Sequence, residues 1–172
     1  MSAFFCLNNI CYNYFMRILG IDPGVAIVGY ALINYENDKY TLEGSGSIQT
    51  PKDARTSERL LEVFNDMSII IEKYKPDCAA IEKLYFFKNQ KTIIPVAEAR
   101  GVILTALENK NVDSFEYTPI EVKQVLTGYG RATKKEVEQM VKYNLNNETL
   151  PKLDDTVDAI AIAICHARNK LI

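Results

Sequence analysis

The sequence of 172 residues predicts a single α/β domain with a mixed, five-stranded sheet flanked by helices. Two observations predict this class. Short apolar segments separated by turn residues occupy positions 17 to 50, as is typical of neighbouring strands. Beyond them, segments with helical periodicity alternate with short apolar runs, which is typical of strand–helix–strand units. Strands that come first and then alternate with helices indicate a sheet of mixed direction.

The first three strands are predicted from apolar runs and turn residues. Asp22-Pro23-Gly24 provides a turn between the first two strands, and Asn37-Asp38 provides a hairpin turn before the third. The predicted strands span 17–22, 25–34 and 44–50.

The remaining elements follow from a change of period. Apolar residues at helical spacing predict a helix over 56–74, which Pro76 ends. A helix over 92–109 requires Pro95 in its first turn, and Pro119 is expected at a helix start, with Gly128 ending that helix. The other predicted elements are strands at 78–82 and 112–117, and helices at 134–145 and 155–168.

Composition excludes several classes of protein. Hydrophobic residues make up 48% of the chain, yet no apolar run reaches the roughly 18 residues of a membrane span. The formal net charge of −2 gives no overall attraction for nucleic acid, so any such site must rest on a local basic surface. Four cysteines without a CxxC pair and a single histidine disfavour a zinc site and are typical of reduced thiols in a cytoplasmic protein.

The first fifteen residues contain no lysine or arginine. Neither a secretory signal nor a transit peptide fits such a segment. We interpret residues 1–15 as an N-terminal extension outside the fold, and we expect the single domain to cover residues 16–172.

Carboxylates mark three places in this pattern. Asp22 ends the first strand, Glu82 ends the fourth, and Asp154, Asp155 and Asp158 lie in or before the first turn of the last helix. Each has an ordinary explanation, because acids are common in turns, at exposed strand ends and at helix N-termini. Together they predict more, since clustered carboxylates repel one another unless a divalent cation neutralises them. Oxygen ligands suit Mg²⁺ or Mn²⁺, and such sites catalyse phosphodiester chemistry.

Six segments, in order along the chain, closely resemble the RuvC family of bacterial Holliday-junction (crossover junction) endodeoxyribonucleases. They are GIDPG (20–24), GYALI (29–33), AIEKLYFFKN (80–89), EARG (98–101), VKQVLTGYGRATK (122–134) and DDTVDAIAIA (154–163). The resemblance implies an RNase H-like fold, a homodimer and a nuclease with two Mg²⁺ ions per site, for which Mn²⁺ can substitute. It also implies symmetric paired nicks in four-way DNA junctions with 5′-phosphate and 3′-hydroxyl ends, and the RuvAB branch-migration complex as a partner.

The same resemblance implies site residues. The family's acidic quartet falls on Asp22, Glu82, Asp155 and Asp158, with Lys134 as a catalytic basic residue and Asp154 as a helix cap. Expected DNA contacts are the aromatic residues Tyr85 and Phe86 and a basic stripe of Lys83, Lys88, Lys91, Arg100, Lys123, Arg131, Lys134 and Lys135. Lysines on helix faces are often only solvated, and aromatic residues also pack at interfaces. His166, near a helix C-terminus where a positive charge is favourable, is interpreted as structural.

Three alternatives differ in what they predict. An RNase H-like nuclease of the YqgF type would cleave RNA precursors in preference to DNA junctions. An actin-like ATPase or sugar kinase shares a D-P-G turn but needs a second glycine-rich phosphate motif, which this sequence lacks. A non-catalytic junction-binding protein would bind junctions without cutting them.

Overall fold

Five strands form one mixed sheet in the computed structural model, which describes residues 15–24, 26–84, 90–146 and 149–170. The spatial order is β3-β2-β1-β4-β5; β1, β2 and β3 are antiparallel, while β1, β4 and β5 are parallel. The predicted mixed, five-stranded sheet is confirmed. The strands are β1 (Phe15–Asp22), β2 (Ile27–Glu36), β3 (Lys39–Gln49), β4 (Cys78–Glu82) and β5 (Asp113–Tyr117).

Helices cover both faces of the sheet. They are α1 (Thr56–Tyr74), α2 (Gln90–Asn109), α3 (Pro119–Thr127), α4 (Lys134–Asn144) and α5 (Asp154–Asn169). One core layer packs α1 and α2 on residues such as Leu19 and Ile81. The other packs α3, α4 and α5 on residues such as Ile18 and Ala80. In the part of the chain that the structure describes, no helix is both long and apolar enough to cross a membrane.

The β2–β3 hairpin is longer than predicted. Asn37 and Asp38 adopt the left-handed conformation, with φ of 50° and 61°, and they form the predicted two-residue turn. That tight turn makes β3 begin at once, at Lys39 rather than at residue 44. Tyr40 pairs with Tyr35, and their rings lie 5.3 Å apart. The prediction missed the alternating pattern that runs from Lys39 to Glu43.

Two other boundaries differ from the predictions. Strand β1 already includes Phe15, which pairs with Glu36, so the expected extension overlaps the sheet by one residue; residues 1–14 lie outside the described part. Helix α2 begins at Gln90, so Pro95 lies in its second turn and not in the first. The proline removes one backbone hydrogen bond, and the helix continues because its later residues, such as Ile103 and Leu107, are buried in the core.

Helix α5 is the central helix of the structure. The sequence predicted one apolar face, but every residue from Ala159 to Ala167 is buried. The helix lies between the sheet on one side and α3 and α4 on the other. Alternating small residues, Ala159, Ala161 and Ala163, let it fit between these layers. This burial fixes the first turn of α5, where the predicted acids lie, relative to the strands.

Candidate active site

The first two predicted carboxylates lie at the ends of neighbouring parallel strands. Ile21 of β1 pairs with Ile81 of β4, so Asp22 and Glu82 come next in register at the same edge of the sheet. Because side chains alternate along a strand, Asp22 shares the face of Ile18, which belongs to the α5 core layer. Both carboxylates are partly buried against that layer.

Two glycines bring the first turn of α5 onto these strands. A Cβ atom built on Gly29 would lie 2.1 Å from the carbonyl oxygen of Asp155, and one built on Gly20 would lie 2.0 Å from the carbonyl oxygen of Ala159. No side chain fits at such distances, so only glycine allows the helix backbone to rest on β1 and β2. The contact seats the acids of α5 above Asp22. Sequence reasoning missed these two positions, although a glycine inside a predicted strand is the signal of a close backbone approach.

The pKa values of the carboxylates show that they act on one another. Burial raises the pKa of Asp22 to about 8, and the charges of Glu82, Asp158 and Asp155 contribute to the rise. Burial raises the pKa of Glu82 to about 7, with a further contribution from Asp158, while Lys123 and Lys134 oppose it. Burial also raises the pKa of Asp158, against the effect of Lys134. The structure thus brings the four predicted carboxylates into one electrostatically coupled cluster.

Lys134 is the cation at this cluster. It is the first residue of α4, and its Nζ lies 3.0 Å from Asp158 and 3.4 Å from Asp154. The prediction that Asp154 caps α5 is wrong. The helix begins at Asp154 itself, Leu153 occupies the N-cap position, and no side chain forms a capping hydrogen bond there. Asp154 is exposed, and its carboxylate reaches Lys134 instead.

A cavity of about 220 Å³ opens beside the carboxylates. Glu82, Asp158, Lys123 and Lys134 form its polar side, and α3, α4 and α5 supply its apolar walls, including Val122. A second cavity of about 550 Å³ lies along α4 and the segment before α5, and it also contacts Lys134 and Asp158. The larger cavity lacks Glu82 among its lining residues, so the smaller one lies closer to the acid cluster. The site therefore combines negative carboxylates with two lysines around an open cleft.

The carboxylate cluster fits a divalent cation by the chemistry of its donors. All four side chains offer oxygen, the ligand that Mg²⁺ and Mn²⁺ prefer. Burial, together with the neighbouring carboxylates, raises the pKa of Asp22 and of Glu82, and a cation beside them would favour their ionised forms. Among the residues that the structure describes, no three acidic, histidine or cysteine side chains are arranged as a ready ion site. Binding of an ion therefore requires the carboxylates to move closer together.

The predicted DNA contacts fall into three groups. Lys83, Arg131 and Lys135 are exposed, and Lys123 lies in the smaller cavity. Arg100 does not fit the prediction, because its guanidinium pairs with Glu116 and its side chain is only 15% exposed. The residues Tyr85, Phe86 and Lys88, and the side chain of Lys91, lie outside the described part of the structure.

His166 is buried and neutral. Its Nδ1 lies 2.7 Å from the hydroxyl of Tyr117, and its Nε2 lies 3.3 Å from the thiol of Cys78. Burial lowers the pKa of His166 to about 4, so the expected favourable charge at the helix C-terminus is wrong. The ring instead connects α5 to β4 and β5 by hydrogen bonds. Cys78 and Cys165 are both free and buried.

Comparison with known proteins gives consistent results. Residues 18–166 match the family described as Crossover junction endodeoxyribonuclease RuvC. RuvC of Fusobacterium nucleatum is 50% identical over 154 residues, which cover 90% of this chain and 81% of that protein. RuvC of Halothermothrix orenii is 52% identical over 154 residues, which cover 90% of this chain and 93% of that protein.

A solved structure shares the fold. Thermus thermophilus RuvC, in complex with Holliday junction substrate, superposes with a TM-score of 0.85 at 29% sequence identity. The match covers 90% of this chain and 94% of that one. The chain therefore has close relatives along nearly all of its length. The region matched by the family, residues 18–166, includes the acid cluster described above.

Proposed function

The chain belongs to the RuvC family of crossover junction endodeoxyribonucleases, and from this premise we propose that it resolves Holliday junctions during recombination and the repair of DNA damage. It hydrolyses one phosphodiester bond in each of two opposed strands of a four-way junction, leaving 5′-phosphate and 3′-hydroxyl ends. The observation that carries the proposal is the meeting of Asp22, Glu82, Asp155 and Asp158 at one edge of an RNase H-like sheet, beside Lys134.

Nucleases of this family are metal-dependent, and we propose Mg²⁺ as the ion, with two ions per site and Mn²⁺ as a substitute. The four carboxylates would hold the ions, with Asp22 in the central position because β1 lies between β2 and β4. A divalent cation at such a site lowers the pKa of the attacking water and stabilises charge at the leaving oxygen. The coupling among these acids supports this assignment, since ions would remove their repulsion.

Lys134 would act on the phosphate itself. Its ammonium group lies at the mouth of the acid cluster and is half exposed, so it can turn from Asp158 to a non-bridging phosphate oxygen. There it would offset the negative charge that develops in the transition state. Lys123 lies in the same cavity and would hold the DNA backbone beside the cleaved bond. The acids thus hold the cations, while the two lysines bind and orient the phosphate.

A homodimer would place two such sites on a two-fold axis, which matches the symmetry of a four-way junction. Exposed apolar side chains on the α1 and α2 side of the sheet support a contact between copies; they are Leu61, Ile69 and Ile94. Light scattering of the purified protein should give a mass near twice 19.5 kDa. A monomer at micromolar concentration, with or without junction DNA, would contradict the dimer.

We also propose that the described residues form one nuclease domain, that residues 1–14 extend from it, and that the enzyme acts in the cytoplasm together with the RuvAB branch-migration complex.

The rival functions, cleavage of RNA precursors and junction binding without cleavage, are not favoured by the family match. The test compares one substrate with another. Purified protein in Mg²⁺ should cut a four-way DNA junction and leave linear DNA duplex and RNA duplex intact. Preferential cutting of RNA would overturn the proposal.

A further inference from the structure

The loop between α3 and α4 presents an exposed aromatic ring. Helix α3 ends at Thr127, and Gly128 adopts the left-handed conformation with φ of 80°, which turns the chain sharply. Tyr129 follows, and 58% of its surface is exposed. Its side chain therefore contributes little to the core, although hydrogen bonds order the loop that carries it.

Hydrogen bonds hold this loop in one conformation. The amide of Gln124 donates from Nε2 to the carbonyl of Gly128 at 2.7 Å and accepts at Oε1 from the backbone N–H of Gly130 at 2.9 Å. The hydroxyl of Thr127 accepts from the N–H of Tyr129 at 3.1 Å and donates to the carbonyl of Lys123 at 2.8 Å. The carbonyl of Tyr129 accepts from the N–H of Ala132 at 3.0 Å. The backbone of Tyr129 is thus satisfied within the loop. Because this backbone is already ordered, contact of the Tyr129 ring with a ligand costs less conformational entropy than it would in a flexible loop.

The loop lies between two lysines of the candidate active site. Lys123 on α3 and Lys134 at the start of α4 both line the 220 Å³ cavity that contains Glu82 and Asp158. Pro119, the first residue of α3, also lines this cavity. Tyr129 lies in the connection between the two helices that carry these lysines, and the next residue, Gly130, packs on the first turn of α3, where a Cβ atom on Gly130 would lie 2.9 Å from Cγ2 of Ile120. We call this connection, together with the starts of α3 and α4, the α3–α4 corner.

The charges of this corner suit a polyanion. Arg131 and Lys135 are exposed, and neither has an ion-pair partner among the residues that the structure describes. The two acids of the corner, Glu121 and Glu136, are engaged in the N-terminal capping of α3 and α4. An exposed ring among free cations is the arrangement that binds nucleic acid strands, in which the cations contact phosphates and the ring stacks on a base.

We propose that Tyr129 stacks on an unpaired base of the junction strand next to the cleaved phosphate. The inference rests on the proposed function and extends it to a residue outside the acid cluster. Bases at the centre of an opened four-way junction have lost their stacking neighbours, whereas bases of a linear duplex have not. A stacking residue therefore favours the junction over the duplex. Loss of one base–aromatic contact typically lowers affinity by about tenfold to a hundredfold.

Three variants test the proposal. Tyr129→Ala removes the ring, Tyr129→Phe keeps the ring without its hydroxyl, and Tyr143→Ala removes a ring of similar exposure (70%) on α4. Tyr143 is nine residues beyond Lys134, about 13 Å along the helix, and serves as the matched control. Both side chains are exposed, and circular dichroism and thermal unfolding check that each of the three variants is folded.

The experiment measures affinity for a four-way junction and for linear duplex without divalent ions, and then single-turnover cleavage in Mg²⁺. Tyr129→Ala should lower junction affinity or cleavage at least tenfold and leave duplex binding within twofold. Tyr129→Phe and Tyr143→Ala should both stay within twofold of the wild type. A 2-aminopurine placed beside the cleavage site should be quenched by the wild type and by Tyr129→Phe, but not by Tyr129→Ala.

Each other outcome has a definite meaning. If Tyr129→Ala behaves like the wild type while the wild type cuts junctions, this inference is overturned and the proposed function stands. Equal losses for junction and duplex would also overturn it, because they would indicate a general contact and not stacking on an unpaired base. If the wild type neither binds nor cuts junctions, both proposals fail together.

Discussion

The backbone of Gly29 lies directly against the backbone of Asp155: a Cβ atom at position 29 would be 2.1 Å from the carbonyl oxygen of Asp155. Gly29 is also the β-sheet partner of Asp22. One glycine therefore determines how far the acid on the helix lies from the acid on the strand. The candidate active site depends on this contact as much as on the carboxylates themselves.

Replacing Gly29 with alanine should separate these acids. The added methyl group would push the first turn of α5 away from β2, because the atoms that it meets belong to the backbone and cannot rotate away. We expect a loss of stability of about 1–3 kcal/mol and cleavage reduced by about a hundredfold. Junction binding without metal should change less than fivefold. Urea unfolding, single-turnover cleavage and a binding assay measure the three quantities.

Gly101→Ala is the control for this variant. Gly101 lies in α2, is exposed, and a Cβ atom there would meet nothing within 4 Å. Alanine also has the better helix propensity, so this variant should be as stable as the wild type or slightly more stable, with unchanged cleavage. Equal cleavage by Gly29→Ala and Gly101→Ala would contradict the positioning role of Gly29.

The sequence predicted the order of the elements because the apolar patterns of this chain are regular. The helix over 56–74, the strand over 78–82 and the helix beginning at Pro119 match the structure. Longer-range effects were harder to predict. Pro95 was expected in a first turn because the local rule ignores the stability that the rest of α2 gains from packing. Helix α5 was expected to bury one face because its sequence does not show that α3 and α4 cover the other.

The candidate site could be predicted only in part for the same reason. The acids were identifiable, since strand ends and helix starts meet at sheet edges. Their mutual repulsion was also predicted, but the rise in the pKa of Asp22 was not, because it depends on burial and on distances that no local pattern contains. The pairing of Arg100 with Glu116 and the contact of Asp154 with Lys134 join residues distant in sequence. Both pairs were missed.

Lys134 should matter more for cleavage than for stability. It is half exposed, and exposed ion pairs contribute little, so Lys134→Gln should change the free energy of unfolding by less than about 1 kcal/mol. Cleavage should fall by roughly tenfold to a thousandfold, because a charge beside the phosphate is lost. Asp154→Asn is the matched control. It removes the charge of Asp154, which pairs with Lys134, but keeps Lys134 itself, so cleavage should stay within about fivefold of the wild type. Similar losses in both variants would show that the ion pair with Asp154, and not the phosphate contact, explains the effect.

His166 should make the protein less stable in acid. Its pKa is about 4 in the folded protein, whereas an unfolded histidine has an ordinary pKa near 6.5. The unfolded state therefore binds more protons below about pH 6.5, and stability falls as the pH decreases from there to about 4. For this one group the loss is on the order of 2–3 kcal/mol. Asp22 and Glu82 contribute in the opposite direction, so the measurement must be a difference between two proteins.

His166→Asn provides that difference. Asparagine keeps a polar group near Nδ1 for Tyr117 but does not titrate. The variant should be less stable than the wild type at pH 7. The difference in the free energy of unfolding between the two proteins should become smaller as the pH falls to 4.5. Urea unfolding at several pH values measures it. A gap that stays constant between pH 7 and pH 4.5 would mean that the buried ring does not titrate as described.

Divalent ions should stabilise the folded protein through the carboxylate cluster. An ion at about 100 times its dissociation constant adds roughly 2.7 kcal/mol to the free energy of unfolding, which corresponds to a rise in Tm of about 5–10 °C for a domain of this size. Adding Mg²⁺ or Mn²⁺ to chelator-treated protein, against NaCl at equal ionic strength, tests this. Asp22→Asn should show a much smaller rise, and an equal rise would place the ion elsewhere.

The central claim is that this acid cluster, present once in each copy of a dimer, cuts two opposed strands of a four-way junction, and mapping the nicks tests it most directly. Each strand of a synthetic mobile junction is end-labelled in turn, and the products formed by the wild type and by Asp22→Asn in Mg²⁺ are resolved to single nucleotides. We expect nicks at symmetric positions in two opposed strands, ends that ligate without further treatment, and no nicks with Asp22→Asn. Unpaired or asymmetric nicks, or cutting that persists in Asp22→Asn, would contradict the account.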